Sequence, residues 1–381
     1  MAEGECVIEN APPLVDLENM CRLLMHSGCS VKREEDTLFI NPDKVSGDFE
    51  NFEAATMLRG SFLATGPVLA KAHKVKIPLP GGCPIGLRPV DLHLKGLAAL
   101  GVEAEQKHGY MELTCKQLKG NKVYLDFPSV GATENIMMAA SLAQGETIIE
   151  NAATEPEIAD LALFINNMGG CISGAGSDTV KIVGVQQLKG CRHRAIPDRI
   201  EAGTFMTAAA ATRGNVKIKG VIPEHLKPVT SKLREIGIKV EEGADYITVC
   251  GGIPHATDIK TMPYPGFPTD MQAQFSALLS VSGGTSMITE TIFENRFMHL
   301  TELKRMGANI RIDGRTSVIE GIDHLTGASV KATDLRAGAA LVIAGLTATG
   351  TTEIENIGYL DRGYYKFEEK LGSLGAQITR I

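Results

Sequence analysis

Cys83 stands at the centre of the stretch PLPGGCPIGLRPVDLH, residues 78–93, with Arg88 five positions beyond it. Pro80, Gly81, Gly82 and Pro84 exclude a regular helix or strand there, so the thiol belongs to a loop. A cysteine beside a guanidinium favours its thiolate, the form that a nucleophile or a tunable proton donor requires. An inert loop thiol fits the same spacing, and the spacing alone leaves both open. Asp270, in YPGFPTDMQAQF (264–275), presents a similar choice. It follows Pro-Thr and precedes a helical run, where it or Thr269 suits an N-cap, and it equally suits a general base at a domain edge. Arg296 lies in ETIFENRFMHL, between a strand and a helix, while Arg199, Arg336 and Arg362 stand at expected helix starts in IPDRIEAGTF, KATDLRAGAAL and YLDRGYYKFEEKL. Any one of these serves as a surface ion pair. Several at the same structural point suit a small, multiply anionic ligand in an interdomain cleft, because helix N-termini attract anions and a guanidinium adds forked donors.

Other chemistries leave no trace. There is no GxxxxGK[ST] phosphate loop, no dinucleotide glycine fingerprint, no GxSxG and no HExxH, and the nine histidines are dispersed. No metal or other cofactor is expected. A net charge of −7 argues against nucleic acid as the main partner and leaves room for a local basic site. Eight cysteines scattered without CxxC spacing read as a reduced, cytoplasmic protein. No apolar run approaches the 18 or so residues of a membrane span, and the N-terminus lacks a signal-peptide pattern.

The elements that must position these side chains come in copies. One phrase recurs six times: an amphipathic helix ending in Gly, a short strand, a polar turn and a second strand. The terminal glycines are Gly28, Gly101, Gly169, Gly237, Gly307 and Gly375, at spacings of 73, 68, 68, 70 and 68 residues. Gly is the usual left-handed stop for a helix, and the alternating residues after it predict a half-buried strand. A small-residue helix and a β-branched strand precede each copy, as in MMAASLAQGETIIENAA; the second copy, LAKAHKVKI, keeps the pattern without the Gly. The unit is a small α/β layer of about 70 residues, too long for a solenoid rung. Six units over 381 residues predict two domains of three, at 1–195 and 196–381. The opening MAEGECVIENAP matches LAQGETIIENAA of residues 142–153, so the first unit reads as incomplete, without its leading strand and most of its first helix.

PGGCPIGLRPVDLH, PSVGATENIMMAA, ENAATEPEIADLA, GFPTDMQAQF, ETIFENRFMH, ATDLRAGAALV and DRGYYKFEEKL together resemble the UDP-N-acetylglucosamine enolpyruvyl transferases, over essentially the whole chain. The resemblance implies an α/β fold, a two-domain inside-out α/β barrel. It implies transfer of enolpyruvate from phosphoenolpyruvate to the 3-hydroxyl of UDP-N-acetylglucosamine with loss of phosphate, an early step of peptidoglycan synthesis that needs no metal. By motif, Cys83 matches the loop cysteine that delivers a proton and is alkylated by fosfomycin, and Asp270 matches the base beside the sugar hydroxyl. Arg59, Arg88, Arg336 and Arg362 match the arginines that hold phosphoenolpyruvate. Arg88, Pro89, Val90, Asp91, Leu92, Ser129, Val130, Gly131, Asp270 and Ile292 match the residues that hold the sugar nucleotide. Phe127 stands where some members carry a Lys near the nucleotide.

One departure stands out. The family opens on a strand and an S-G-x-K-N turn whose Lys and Asn contact the two substrates, and nothing before Met1 corresponds to it. Three readings follow: an incomplete chain of an ordinary enzyme, a short paralogue that binds the sugar nucleotide in a regulatory or structural role, or a shikimate-pathway enolpyruvyl transferase. The loop cysteine and RPVDLH favour the sugar-nucleotide branch over the last.

Overall fold

The computed structural model describes the chain except residues 80–84 and 87–89 and the side chains of Met57 and Arg59. The chain divides into two compact units, Met1–Gly82 with Arg88–Ile196, and Pro197–Ile381 with Cys83–Leu87.

The third copy shows the building pattern in full. Strand Lys122–Tyr124, helix Val130–Ala140, strand Glu146–Glu150, helix Pro156–Asn167 and strands Cys171–Ser173 and Thr179–Val183 follow in order. The first strand runs parallel beside 146–150, and 179–183 lies antiparallel between 146–150 and 171–173. The fifth copy repeats this order, from Ile259–Lys260 through Gln272–Leu279, Thr285–Thr289 and Met298–Arg305 to Asn309–Asp313 and Thr316–Glu320. In the first copy the parallel neighbour of Cys6–Glu9 comes from far along the chain: Arg192 pairs with Val7 and Arg194 with Glu9. The fourth copy, Val216–Lys219, Tyr246–Cys250 and Lys239–Glu242, has no parallel neighbour among the described residues.

The glycine stops behave as the copies require. All six helix-ending glycines have positive φ, from +88° to +100°. In the second copy His73, at φ +58°, is the left-handed cap of the earlier helix Thr65–Ala72, at the turn where the third copy has Gly145 at φ +93°. Two expectations need correction. Residues 376–381, expected as the last strand, form none. In the earlier copies that strand is held by the next one along the chain, as Cys29–Glu34 is by Thr37–Pro42, and no described strand offers 376–381 such a ladder. Arg362 does not start a helix; it closes the 3₁₀ turn Ile357–Arg362, ahead of helix Phe367–Ser373.

Helices sort by composition. In the second unit Arg199–Ala211, Gln272–Leu279 and Leu335–Thr347 are rich in Ala, Gly, Ser and Thr, are buried on nearly every side, and pack on one another. A helix apolar all round must be interior, whereas the amphipathic Lys227–Glu235 and Met298–Arg305 bury one stripe each and lie outside. The small side chains let the inner helices approach closely. A Cβ on Gly203 would come 2.9 Å from Met271 Sδ. The first unit follows the same plan, with Thr65–Ala72 packed on Val130–Ala140; there Gly66 N donates to Asn135 Oδ1 at 2.7 Å.

Candidate functional site

Helix starts and their caps place charged groups of the second unit. Arg199 and Arg336 enter helices whose N-caps are Asp198 and Asp334; each cap accepts two backbone N–H groups at 2.7–3.1 Å. The helix after Asp270 has no such side-chain cap. Asp270 caps nothing, because Met271 is the N-cap of Gln272–Leu279 and makes no side-chain capping bond.

Asp270 instead receives two guanidiniums. Arg296 Nη2 donates to Oδ1 at 2.5 Å and Arg336 Nη2 to Oδ2 at 3.4 Å. Both arginine side chains are largely buried, at 6% and 13% exposure, while the Asp270 side chain keeps 41% and so faces accessible space. Burial pushes the Asp270 pKa up, but Arg296, Arg336 and Arg199 outweigh it and hold the carboxyl well below the usual carboxylate range. Arg336 is fixed from its other side by Tyr364: Nη1 donates to the phenol oxygen at 3.1 Å, and the guanidinium lies 5.5 Å from the ring centroid. The phenol is buried and bonded to Thr204 Oγ1 at 2.9 Å, and Gln274 Nε2 donates to both. Burial drives the Tyr364 pKa up, against the pull of Arg336.

Ile292 lies on the turn after strand 285–289, its N–H donating to Glu290 Oε1 at 2.8 Å. Arg199 sits over the Tyr264 ring at 5.6 Å. Of the loop around Cys83, Ile85 groups with this unit, and its carbonyl accepts the N–H of Asn295, the neighbour of Arg296, at 3.1 Å. Cys83, Arg88 and Pro89 lie outside the described residues, as does the side chain of Arg59.

A second group of the expected residues assembles in the first unit. Val90, Asp91 and Leu92 open helix Asp91–Ala99, and Ser129, Val130 and Gly131 open helix Val130–Ala140, with Ser129 Oγ accepting Ala132 N–H at 3.3 Å. The two helices pack together: a Cβ on Gly131 would lie 3.1 Å from the His93 ring. Asn135, which the spacing did not single out, ties this corner. Its Nδ2 donates to Phe62 O and Thr65 Oγ1 at 3.2 and 2.8 Å and lies 3.1 Å from His93 Nδ1, which links the 3₁₀ helix Arg59–Ala64 to the same helix. Glu134 was missed too; burial, then Glu157 and Glu155, raise its pKa to about 7. Among the described residues no group of His, Cys, Asp and Glu could hold a metal ion, and no helix is long and apolar enough to cross a membrane.

The sequence singles out Asp270, Arg296 and Arg336 as charges at connections and helix starts, and the structure brings the three side chains into contact. Sequence reasoning missed Tyr364, Thr204, Gln274, Thr269 as a bonded partner, and Glu290. Their signal is burial inside helices and turns, which a single sequence does not display.

The family described as EPSP synthase (3-phosphoshikimate 1-carboxyvinyltransferase) matches residues 1–371. UDP-N-acetylglucosamine 1-carboxyvinyltransferase 1 of Caldanaerobacter subterraneus is 56% identical over 381 residues, covering 100% of this chain and 92% of that protein. UDP-N-acetylglucosamine 1-carboxyvinyltransferase 2 of Clostridium tetani is 56% identical over 384 residues at the same coverage. Among solved structures, the enolpyruvyl transferase NikO of Streptomyces tendae shares the fold, with a TM-score of 0.90 at 23% identity over 99% of this chain and 91% of that one. With full-length relatives at this identity, the chain belongs to the UDP-N-acetylglucosamine 1-carboxyvinyltransferase family, and its two units carry the enolpyruvyl transferase fold.

Proposed function

We propose that this chain transfers enolpyruvate from phosphoenolpyruvate to the 3-hydroxyl of UDP-N-acetylglucosamine in the cytoplasm, using two domains of three repeats. The observation that carries the reading is the Asp270 carboxylate, partly exposed and clamped by Arg296 and Arg336. Asp270 accepts the proton of the 3-hydroxyl as its oxygen attacks C2 of phosphoenolpyruvate. Cys83, through the family resemblance, protonates C3, which gives a tetrahedral adduct. Elimination then breaks the C2–O bond to phosphate while a methyl proton returns to the Cys83 thiolate, which restores the double bond in the product, and the phosphate leaves with the proton that Asp270 had taken. Atoms balance without an oxidant or a metal.

The two arginines divide the work by geometry. Arg296 is the shorter, more buried contact and orients the base. Arg336 is held firmly by Tyr364 and only loosely by Asp270, so an incoming phosphate or carboxylate competes for it. When the substrate's anion takes that guanidinium, Asp270 loses one cation and becomes a stronger base as the acceptor hydroxyl arrives. Arg59, Arg88 and Arg362 would complete the anion site, and Val90, Asp91, Leu92, Ser129, Val130, Gly131 and Ile292 the nucleotide side. The helix starts at 91 and 130 support that reading, since backbone N–H groups there suit a diphosphate.

Phosphate release from phosphoenolpyruvate should require UDP-N-acetylglucosamine and disappear in Cys83→Ala. Release dependent on shikimate 3-phosphate instead would overturn the assignment.

A further inference from the structure

Glu290 is almost fully buried, at 1% exposure, yet it binds no cation among the described residues; four donors surround it instead. Thr261 Oγ1 donates to Oε1 at 2.9 Å, the N–H groups of Ile292 and Phe293 donate to the same oxygen at 2.8 and 3.2 Å, and Thr269 Oγ1 donates to Oε2 at 2.8 Å. All four partners are donors, the pattern of an acceptor-only carboxylate. The Thr269 hydroxyl has one proton, and giving it to Glu290 leaves its lone pairs facing the other way. There Arg296 Nη1 donates to it at 2.8 Å, while Nη2 of the same guanidinium holds Asp270 at 2.5 Å. A continuous chain of directed hydrogen bonds thus runs from Glu290 through Thr269 and Arg296 to the base.

We infer that Glu290 is a positioning residue for the transfer reaction: by fixing the direction of the Thr269 hydroxyl, it holds the Arg296 guanidinium in the plane that orients the Asp270 carboxylate. The inference rests on the function proposed above and adds a residue outside the substrate's reach. Geometry gives Glu290 this role twice over. Thr261 and Thr269 bracket the loop that leads to Asp270, and residues 292–293 begin the connection that carries Arg296, so one carboxylate pins both segments. Removing it frees the two loops to shift against each other, and placement errors near 1 Å cost about a hundredfold in rate.

Glu290→Gln keeps shape and keeps an oxygen for Thr261 and the two N–H groups, but it places an NH₂ against Thr269. The hydroxyl must then accept a hydrogen bond from the introduced amide, and its proton turns toward Arg296. Thr269→Val removes the hydroxyl outright, and Thr269→Ser retains it. In full-length protein with wild-type circular dichroism, E290Q and T269V should each lower kcat by about 10- to 100-fold. The KM for phosphoenolpyruvate should change little, and the acidic limb of the kcat–pH profile should move upward as Asp270 loses Arg296. T269S should restore kcat to within about threefold, and the E290Q/T269V double variant should be no worse than the poorer single one. A purely structural role predicts lower melting temperature with an unshifted pH limb, multiplicative losses in the double variant and no rescue by T269S; that result overturns the assignment, as do folded single variants with wild-type kcat and pH profile. A wild-type chain that releases no phosphate with UDP-N-acetylglucosamine overturns the functional reading and this role with it. Turnover in the wild type that is indifferent to Glu290 and Thr269 overturns the positioning role alone.

Discussion

Burial alone would make the Asp270 carboxylate, the proposed base, more basic; the guanidiniums of Arg296, Arg336 and Arg199 outweigh it and hold the group acidic. The sign matters for pH. Its folded pKa lies below the ordinary value, so the ionised form persists as pH falls through the usual carboxylate range, and the stability from these ion pairs is lost only below it. Arg296→Met removes the nearer cation, and the acidic limb of kcat/KM against pH should shift upward, with kcat down by about 10²-fold. Arg336 tells a different story, because its partner is a phenol. Tyr364→Phe deletes one hydrogen bond to the guanidinium while the ring and its cation–π contact remain. It should raise the KM for phosphoenolpyruvate by about 5- to 20-fold, equivalent to about 1–2 kcal/mol, and leave the KM for the sugar nucleotide near wild type. Steady-state kinetics with each substrate varied in turn separates the two. Asp270, Arg296 and Arg336 were legible in the sequence because several charges recur at the connections and helix starts of the repeat. Tyr364 was not, because a tyrosine before a helix reads as core, and only the fold reveals that its hydroxyl meets Arg336.

Elements carry two further tests. Gly169 ends its helix at φ +95° with no atom within 4 Å of an added Cβ, so Gly169→Ala should cost about 1–2 kcal/mol through backbone strain alone. Gly372, inside helix 367–373, is equally open and has no positive φ; Gly372→Ala should be neutral or stabilising by up to about 1 kcal/mol. Thermal melts of the two variants check the contrast. The helix-ending glycines were readable from their period, whereas His73, left-handed at φ +58°, lacks the glycine that would have signalled it. The strand expected at 376–381 failed for a related reason. Alternation shows that a segment could pair, and pairing depends on a neighbour that alternation cannot supply. Helix 298–305 holds His299, whose Nε2 has no hydrogen-bond partner among the described residues. Burial pushes its pKa down to about 4, against the pull of Asp334 and with the help of Arg296. The unfolded chain therefore binds this proton first, and stability should fall by about 1.4 kcal/mol per unit as pH drops from about 6.5 toward 4. Urea unfolding across that range should show a shallower slope in His299→Leu, whatever its stability at neutral pH.

At the scale of the molecule, the repeat explains how one chain places so many charged groups without an elaborate loop system. The three copies of the second unit each bury a small-residue helix in its middle, and charged residues at or just before the starts of these helices, Asp270 and Arg336 among them, come together there. The period of about 70 residues gave this plan away, and the long-range pairing of strands did not. No local pattern announces that Cys6–Glu9 pairs with Arg192–Arg194 across most of a unit. The second-unit constellation of Asp270, Arg296 and Arg336 is proposed to drive sugar-nucleotide-dependent chemistry. The most direct measurement is phosphate release from phosphoenolpyruvate by the wild-type chain and by Asp270→Asn, with and without UDP-N-acetylglucosamine. Release that requires the sugar nucleotide and falls by at least about 10²-fold in the variant is the expected result. Release that ignores UDP-N-acetylglucosamine, or that survives unchanged in Asp270→Asn, contradicts it.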